Sequence, residues 1–179
     1  HDLPSLREVF ADRGGLLELG SNENCYGPSP SVAQGMQFEW DALFRYPDPG
    51  GKALKRAIAE KYNVQQDCIA LGNGSHELLM QFAQVFAGPD DEILVSRYCF
   101  AVYPIAAKAV GATLKVAEAY DLQHDMPFGH DLNALLAGIT AKTKLIFFAN
   151  PNNPTGTWFS FAQLVEFLRA VPANVLVVV

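Results

Sequence analysis

Two short stretches concentrate the residue types that could do chemistry. The first, Leu71-Gly-Asn-Gly-Ser-His-Glu77, follows a short apolar run and precedes a helical pattern. At a strand-to-helix junction, unpaired backbone N–H groups and the helix dipole favour an anion, so this turn is a candidate phosphate cradle. Gly72 and Gly74 allow the tight turn. It is not a Walker loop, because no Gly-Lys-Ser/Thr follows, and Glu77 stands where the dinucleotide fingerprint needs its third glycine. The plain alternative is a glycine-rich turn with Ser75 as an ordinary helix cap. The second stretch, Ala149-Asn-Pro-Asn-Asn-Pro-Thr-Gly156, is more specific. Two prolines and a glycine fix a loop at the end of an apolar run while presenting three asparagines. An amide on such a support can donate to a phenolate or carboxylate oxygen of a ligand lying over a sheet. The alternative there is a structural Asx turn.

Other chemistry-bearing residues are scattered. His124 and His130 lie near Asp121, Asp125 and Asp131 and imitate a metal site. Pro127, Gly129 and the mixed ligand set read instead as a solvated connector, and no metal is expected. Cys25, Cys68 and Cys99 are an odd number without a C-x-x-C pair, which fits reduced thiols rather than a disulfide framework or zinc knuckle.

The elements that must position these stretches follow from periodicity. Residues 1–50 carry turn formers, among them Gly14-Gly15, and read as an irregular N-terminal arm. Leu54, Ala57, Ile58 and Tyr62 predict a helix over 51–62. Cys68–Leu71 reads as a strand ending at Gly72. Leu78, Leu79, Phe82, Val85 and Phe86 predict one buried face of a helix over 75–87. Ile93–Ser96 predicts a strand, followed by a helix opened by Pro104 and closed by Gly111. Thr113–Ala117, Lys144–Ala149 and Val175–Val179 predict strands, the last buried on both faces. Asp131 and Ser160 predict the caps of two helices. Strands alternating with helices predict a three-layer α/β/α domain over 51–179 with a mainly parallel sheet. Val175–Val179 should deliver a polar residue at its carboxyl end; the sequence stops first and opens at His1, so it is read as part of a longer protein.

Five segments resemble, in order and spacing, the class I/II aminotransferases of fold type I. They are Gly20-Ser-Asn-Glu-Asn-Cys-Tyr-Gly-Pro-Ser-Pro30, Arg45-Tyr-Pro-Asp-Pro49, Gly72-Asn-Gly-Ser-His-Glu-Leu78, Phe100-Ala-Val-Tyr-Pro104 and Ala149–Gly156. The first two together resemble the members that act on histidinol phosphate. The resemblance spans nearly the whole chain but only the N-terminal half of the family's fold. The family's Asp-Glu-Ala-Tyr segment and the lysine that holds pyridoxal 5′-phosphate would follow Val179. It implies that Gly74, Ser75 and His76 offer backbone N–H groups to the cofactor phosphate, that Phe100 stacks on its pyridine ring, and that Asn153 hydrogen-bonds its 3′ oxygen. It further implies a homodimer in which Tyr46 reaches the cofactor phosphate of the other subunit, with Asn22, Glu23 and Asn24 closing over the substrate. His76 departs from the acidic or small polar residue more usual there, and Cys25 stands where proline is usual. The implied activity, for the longer protein, is transamination between L-histidinol phosphate and 2-oxoglutarate in histidine biosynthesis; with no basic, apolar and small-residue signal sequence opening the chain, a cytoplasmic location is the default expectation. An aromatic-amino-acid aminotransferase, a phosphothreonine-type decarboxylase and a non-enzymatic aminotransferase-like ligand-binding module stay open.

Composition narrows the classes further. At 179 residues, 50% hydrophobic and 18% charged, the chain can bury a sizeable core, so disorder is excluded. Thirteen Lys and Arg against 19 Asp and Glu give a net charge of -6, leaving no basic field for a run of phosphates. Its apolar runs, such as Leu145–Ala149, fall far short of the roughly 20 residues of a membrane-spanning helix.

Overall fold

The computed structural model describes residues 8–11, 20, 22–35 and 44–179; the Gly14-Gly15 turn lies outside them. The chain divides into two units, His1–Gly50 and Gly51–Val179. In the first, Gly27 N–H donates to the Asn24 carbonyl at 3.0 Å and the Asn24 side chain accepts from Tyr26 N–H at 3.1 Å, closing a tight turn. Helix α1 (Pro30–Gly35) follows. It opens on a proline, whose fixed φ and missing N–H suit a first helical position.

The second unit runs α2 (Lys52–Tyr62), a 3-10 turn (Gln66–Cys68), α3 (Gly74–Phe86), β1 (Glu92–Ser96), α4 (Val102–Ala109), β2 (Thr113–Ala117), α5 (Leu132–Gly138), β3 (Thr143–Phe147), α6 (Phe161–Ala170) and β4 (Leu176–Val178). The four strands form one sheet in the order β2-β1-β3-β4. Every neighbouring pair is parallel, with Val95 beside Val116 and Phe147, and Phe147 beside Val178. Alternation along the strands sends Ile93, Val95, Leu145 and Phe147 to one face, where they meet Leu79 and Ala83 of α3 and Tyr103 and Ala106 of α4. Leu94 and Ile146, with Phe148 just beyond β3, go to the other face and pack on Leu135 of α5 and Phe167 of α6. The expected three layers result.

Local signals set several boundaries. Asp131 accepts from the N–H groups of Asn133 and Ala134 at 2.9 and 3.0 Å, opening α5. Ser160 and Gln163 form a reciprocal capping box at the start of α6. Gly111, at φ 74, turns the chain out of α4.

Other expectations need correction. The apolar run Cys68–Leu71 forms no strand: the 3-10 turn Gln66–Cys68 occupies its start, and no described segment pairs with the rest. A strand is defined by its neighbour, and apolar composition alone supplies none. Pro104 is the third residue of α4 rather than the first; it still lies in the turn whose N–H groups have no helical acceptor, so it costs no bond. Ser75 is the second residue of α3 and not its cap, since Asn73 occupies that position. Val85 and Phe86 at the end of α3 are exposed, whereas Leu79 and Ala83 enter the core. β4 is half-buried, because β3 flanks it on one side only.

β3, between two neighbours and two helical layers, is the buried centre. Leu145→Ala is expected to cost about 2–5 kcal/mol through lost transfer energy and the cavity left behind. Ser160→Ala, at a helix end, is expected to cost about 1 kcal/mol. Urea unfolding midpoints measure both, and an unchanged midpoint for Leu145→Ala would contradict the central placement of β3.

Candidate functional site

Parallel strands put all their carboxyl ends on one edge of the sheet, and the site is built there. Helix α3 leads into the same sheet. Its last turn passes through the Gly88 bend, where Asp91 N–H donates to the Gly88 carbonyl, directly into β1. A 13-residue helix rises about 20 Å, close to the span of the adjacent strand. Leu79 and Ala83 of α3 pack on the sheet face that carries Val95 and Phe147.

At that start Gly74 adopts φ 81 and its N–H turns back to the Gly72 carbonyl at 2.9 Å. The N–H groups of Ser75 and His76 follow with no acceptor among the described residues. They point out of the positive end of the helix, as an anion requires. Glu77 folds back to accept from the backbone N–H of Asn73 and from its side-chain amide, the latter at 3.0 Å. These bonds, the backbone one foremost, hold its carboxyl below the usual carboxylate range. A Cβ at Gly72 would come within 3.0 Å of Leu78 and 3.2 Å of the Glu77 carboxylate, so a side chain here would push on both.

The loop after β1 carries Phe100, half-buried. Its ring meets Tyr103 edge-on at 5.8 Å, and Tyr103 lies flat on Phe147 at 5.0 Å and 9°. The sheet thus braces Phe100 through an intervening aromatic. Burial pushes the neighbouring Cys99 thiol up, away from the reactive thiolate.

After β3 the three asparagines divide their work. Asn150 exchanges two hydrogen bonds with the backbone of Phe159, at 2.9 and 3.1 Å. Asn152, 4% exposed, donates to the Tyr98 carbonyl and to the Thr155 hydroxyl, each at 2.7 Å. Its backbone closes the loop, donating to the Thr157 carbonyl and accepting from Gly156 N–H, each at 2.8 Å. Asn153 is half-buried, and its side chain has no hydrogen-bond partner among the described residues. Both Asn150-Pro151 and Asn153-Pro154 are cis. The Asn152 to Tyr98 bond joins the loop after β3 to the loop after β1, so the Ala149–Gly156 stretch meets the loop that carries Phe100.

His130 was not foreseen. The 121–131 stretch reads in sequence as a solvated connector, yet His130 is 5% exposed, with its Nε2 3.1 Å from the Ala149 carbonyl. Burial holds it below the ordinary histidine value, opposed by its hydrogen bond to the Ala149 carbonyl and by the nearby Asn152 side chain. No local pattern announces this, because the apolar neighbours, Phe148 and Phe159, come from distant segments. The buried side-chain polar atoms left unpartnered among the described residues are Ser96 Oγ, His130 Nδ1 and Asn152 Oδ1. Ser96 ends β1, and the other two adjoin the end of β3. No described group of three or more His, Cys, Asp or Glu side chains is placed to hold a metal ion.

Asn22, Glu23, Asn24 and Tyr46 all belong to the first unit and are exposed, Tyr46 fully so. Asn24 is the one engaged in the turn described above, and Asn22 adopts φ 54.

The parallel sheet between two helical layers, with the loops after β1 and β3 tied together at its carboxyl edge, defines a three-layer α/β domain. The chain belongs to the aminotransferase class I and II family, whose pattern matches residues 15–179. It is 45% identical over 172 residues to histidinol-phosphate aminotransferase 2 of Pseudomonas fluorescens, covering 96% of this chain and 45% of that protein. It is 48% identical over 163 residues to histidinol-phosphate aminotransferase 2 of Hydrogenovibrio crunogenus, covering 91% of this chain and 42% of the relative. The chain thus spans less than half the length of these relatives. Its fold matches the crystal structure of histidinol-phosphate aminotransferase from Sinorhizobium meliloti in complex with pyridoxal-5′-phosphate, at TM-score 0.81 and 26% identity over 95% of this chain and 45% of that one. N-Succinyldiaminopimelate aminotransferase from Mycobacterium tuberculosis shares the fold at TM-score 0.79 and 24% identity, over 97% of this chain and 47% of that one.

A buried histidine held below its ordinary value of about 6.5 takes up its proton at a lower pH when folded than when unfolded. Its contribution to stability is therefore full above about pH 6.5 and is lost as the pH falls through and below that value. Urea midpoints at about pH 7.5 and 5.5 should show this loss in the native protein and a smaller loss in His130→Gln. Equal pH dependence in the two would contradict a buried neutral His130.

Proposed function

We propose that the chain supplies the phosphate anchor, ring support and 3′-oxygen contact of a pyridoxal-phosphate-dependent aminotransferase. The observation that carries this is 45% identity over 96% of the chain to a histidinol-phosphate aminotransferase. Its residues also fit the cofactor. Ser75 and His76 present free N–H groups at a helix start, the match for a phosphate. Gly74, its N–H turned to Gly72, sets the bend that exposes them. Phe100 offers a braced π face to a flat ring. Asn153 has a free amide on a rigid loop, the match for a phenolate-like oxygen.

In this reading the longer protein transfers an amino group between L-histidinol phosphate and 2-oxoglutarate in histidine biosynthesis, in the cytoplasm. Bound pyridoxal phosphate supplies the electron sink for that chemistry. This chain's residues bind and orient it. Two subunits form a homodimer, with Tyr46 serving the cofactor phosphate of the other subunit and Asn22, Glu23 and Asn24 closing over the substrate. Exposure of Tyr46 and its place in a separate unit support a contact made outside its own core. The seven lysines, at 52, 55, 61, 108, 115, 142 and 144, fall outside the segments 72–76, 98–103 and 150–154 in the sequence. In this reading the lysine for covalent attachment belongs to the part of the longer protein outside this chain.

Two measurements on the whole enzyme test this. Tyr46→Phe is expected to weaken cofactor binding by roughly 1.5–3 kcal/mol, the worth of one hydrogen bond to a charged group; unchanged affinity, read from cofactor absorbance, would reduce Tyr46 to packing. Borohydride reduction with peptide mapping is expected to leave all seven lysines unlabelled. A stable pyridoxyl label on one of them, together with turnover of histidinol phosphate, overturns the assignment.

A further inference from the structure

We infer that His130 is a positioning residue for the loop after β3, fixing the Ala149 carbonyl so that the Asn153 amide meets the cofactor at a set place; this rests on the role proposed above for Asn153. The histidine is held from its own side before it touches the loop. Its backbone bridges Ala119, two residues past the end of β2, and the next residue, Asp131, caps α5. Tyr120 N–H donates to the Gly129 carbonyl at 3.0 Å, closing the same bridge. Phe148 and Phe159 flank the imidazole, with ring centres 5.9 and 6.3 Å away. So confined, the ring places Nε2 3.1 Å from the Ala149 carbonyl. Since that partner can only accept, the proton of the neutral ring is assigned to Nε2.

Ala149 is where the chain leaves the sheet, and Asn153 is four residues on. Little between them can absorb a rotation. The Ala149 carbonyl orients the whole planar peptide that leads into Asn150, and Pro151 has a locked φ. Asn150 and Asn152 are tied at both ends of their side chains or backbone. A change of direction at Ala149 is therefore passed along to Asn153. A second observation singles out this junction. All three unpartnered buried side-chain polar atoms among the described residues lie at the carboxyl ends of β1 and β3: Ser96 Oγ, His130 Nδ1 and Asn152 Oδ1. A junction shaped for stability alone would place apolar atoms there, whereas local rules are broken where function sets the geometry.

The test uses the whole enzyme with pyridoxal phosphate, reading the cofactor dissociation constant, its absorption band and the melting temperature. His130→Leu is expected to bind the cofactor about three- to tenfold more weakly, the effect of one lost hydrogen bond. It should shift the bound band in the direction that Asn153→Ala does. His130→Gln should restore both, since its amide reaches the position of Nε2. His130→Leu combined with Asn153→Ala should bind no more weakly than Asn153→Ala alone, because both changes act through one contact. A histidine that only stabilises the fold would lower the melting temperature, leave the band in place and multiply with Asn153→Ala; any of the last two results overturns the inference. Should His130→Leu fail to fold, His130→Gln against His130→Asn makes the same comparison, and equal bands in these two overturn it. If Asn153→Ala keeps the native affinity and band, Asn153 is not the cofactor contact, an outcome distinct from an Asn153→Ala shift that His130→Leu does not share.

Discussion

A strand buried on both faces must leave the sheet without help from water. β3 runs between β1 and β4, with Leu145 and Phe147 in one core and Ile146 in the other. Each N–H and C=O in and just after it needs a protein partner, or the desolvation of the strand goes uncompensated. His130 meets the Ala149 carbonyl, Asn150 meets both polar groups of Phe159, and Asn152 ties its own loop and the Tyr98 carbonyl. The rigidity of the loop thus follows from the burial of the strand. Of three asparagines, two are consumed in closing the loop, and the third is left with a free amide on a support it did not build.

The same economy governs α3. The free N–H groups of Ser75 and His76 make its start attractive to anions, and Glu77 is an anion within the first turn. Its placement decides whether it competes. The carboxylate folds back onto Asn73, taking the backbone N–H and side-chain amide of the residue before the helix. The donors of Ser75 and His76 stay open, although the negative charge lowers the local potential for a second anion. A tight bend at Gly72 and a left-handed Gly74 make this possible, since a Cβ at Gly72 would meet the returning carboxylate.

Much of this was legible in the sequence where the cause is local. Asp131 and Ser160 cap the helices they announce, because a side-chain oxygen three residues ahead of a free N–H acts within one turn. The strands at Glu92–Ser96, Thr113–Ala117 and Thr143–Phe147 follow their apolar runs within a residue or two. The Asn-Pro-Asn-Asn-Pro-Thr-Gly loop was visible as a rigid presenter of amides. Which amide stays free was not, because it depends on where Tyr98 and Phe159 lie in space. Cys68–Leu71 has the composition of a strand, and no described segment lies beside it to make it one. Val85 and Phe86 share the period of the buried face of α3 and stand outside, because no described element covers that end. His130 is the clearest case: glycine, proline and aspartate around it signal a turn, and its burial comes from two phenylalanines 18 and 29 residues later in the sequence.

Those misses share a direction. Periodicity and capping report what a segment wants from its immediate chain, whereas each failure concerns a contact between segments far apart. The site is made of such contacts. Phe100 is braced by Tyr103, which stands on Phe147 of β3; the loop after β3 is tied to Tyr98 after β1. The carboxyl ends of β1 and β3 therefore hold each other's loops, and neither loop has its geometry without the other strand beside it. Parallel pairing is what permits this, because it brings both strands to the same edge with their loops side by side. An antiparallel partner would have carried one loop to the far edge and left Asn152 without the Tyr98 carbonyl.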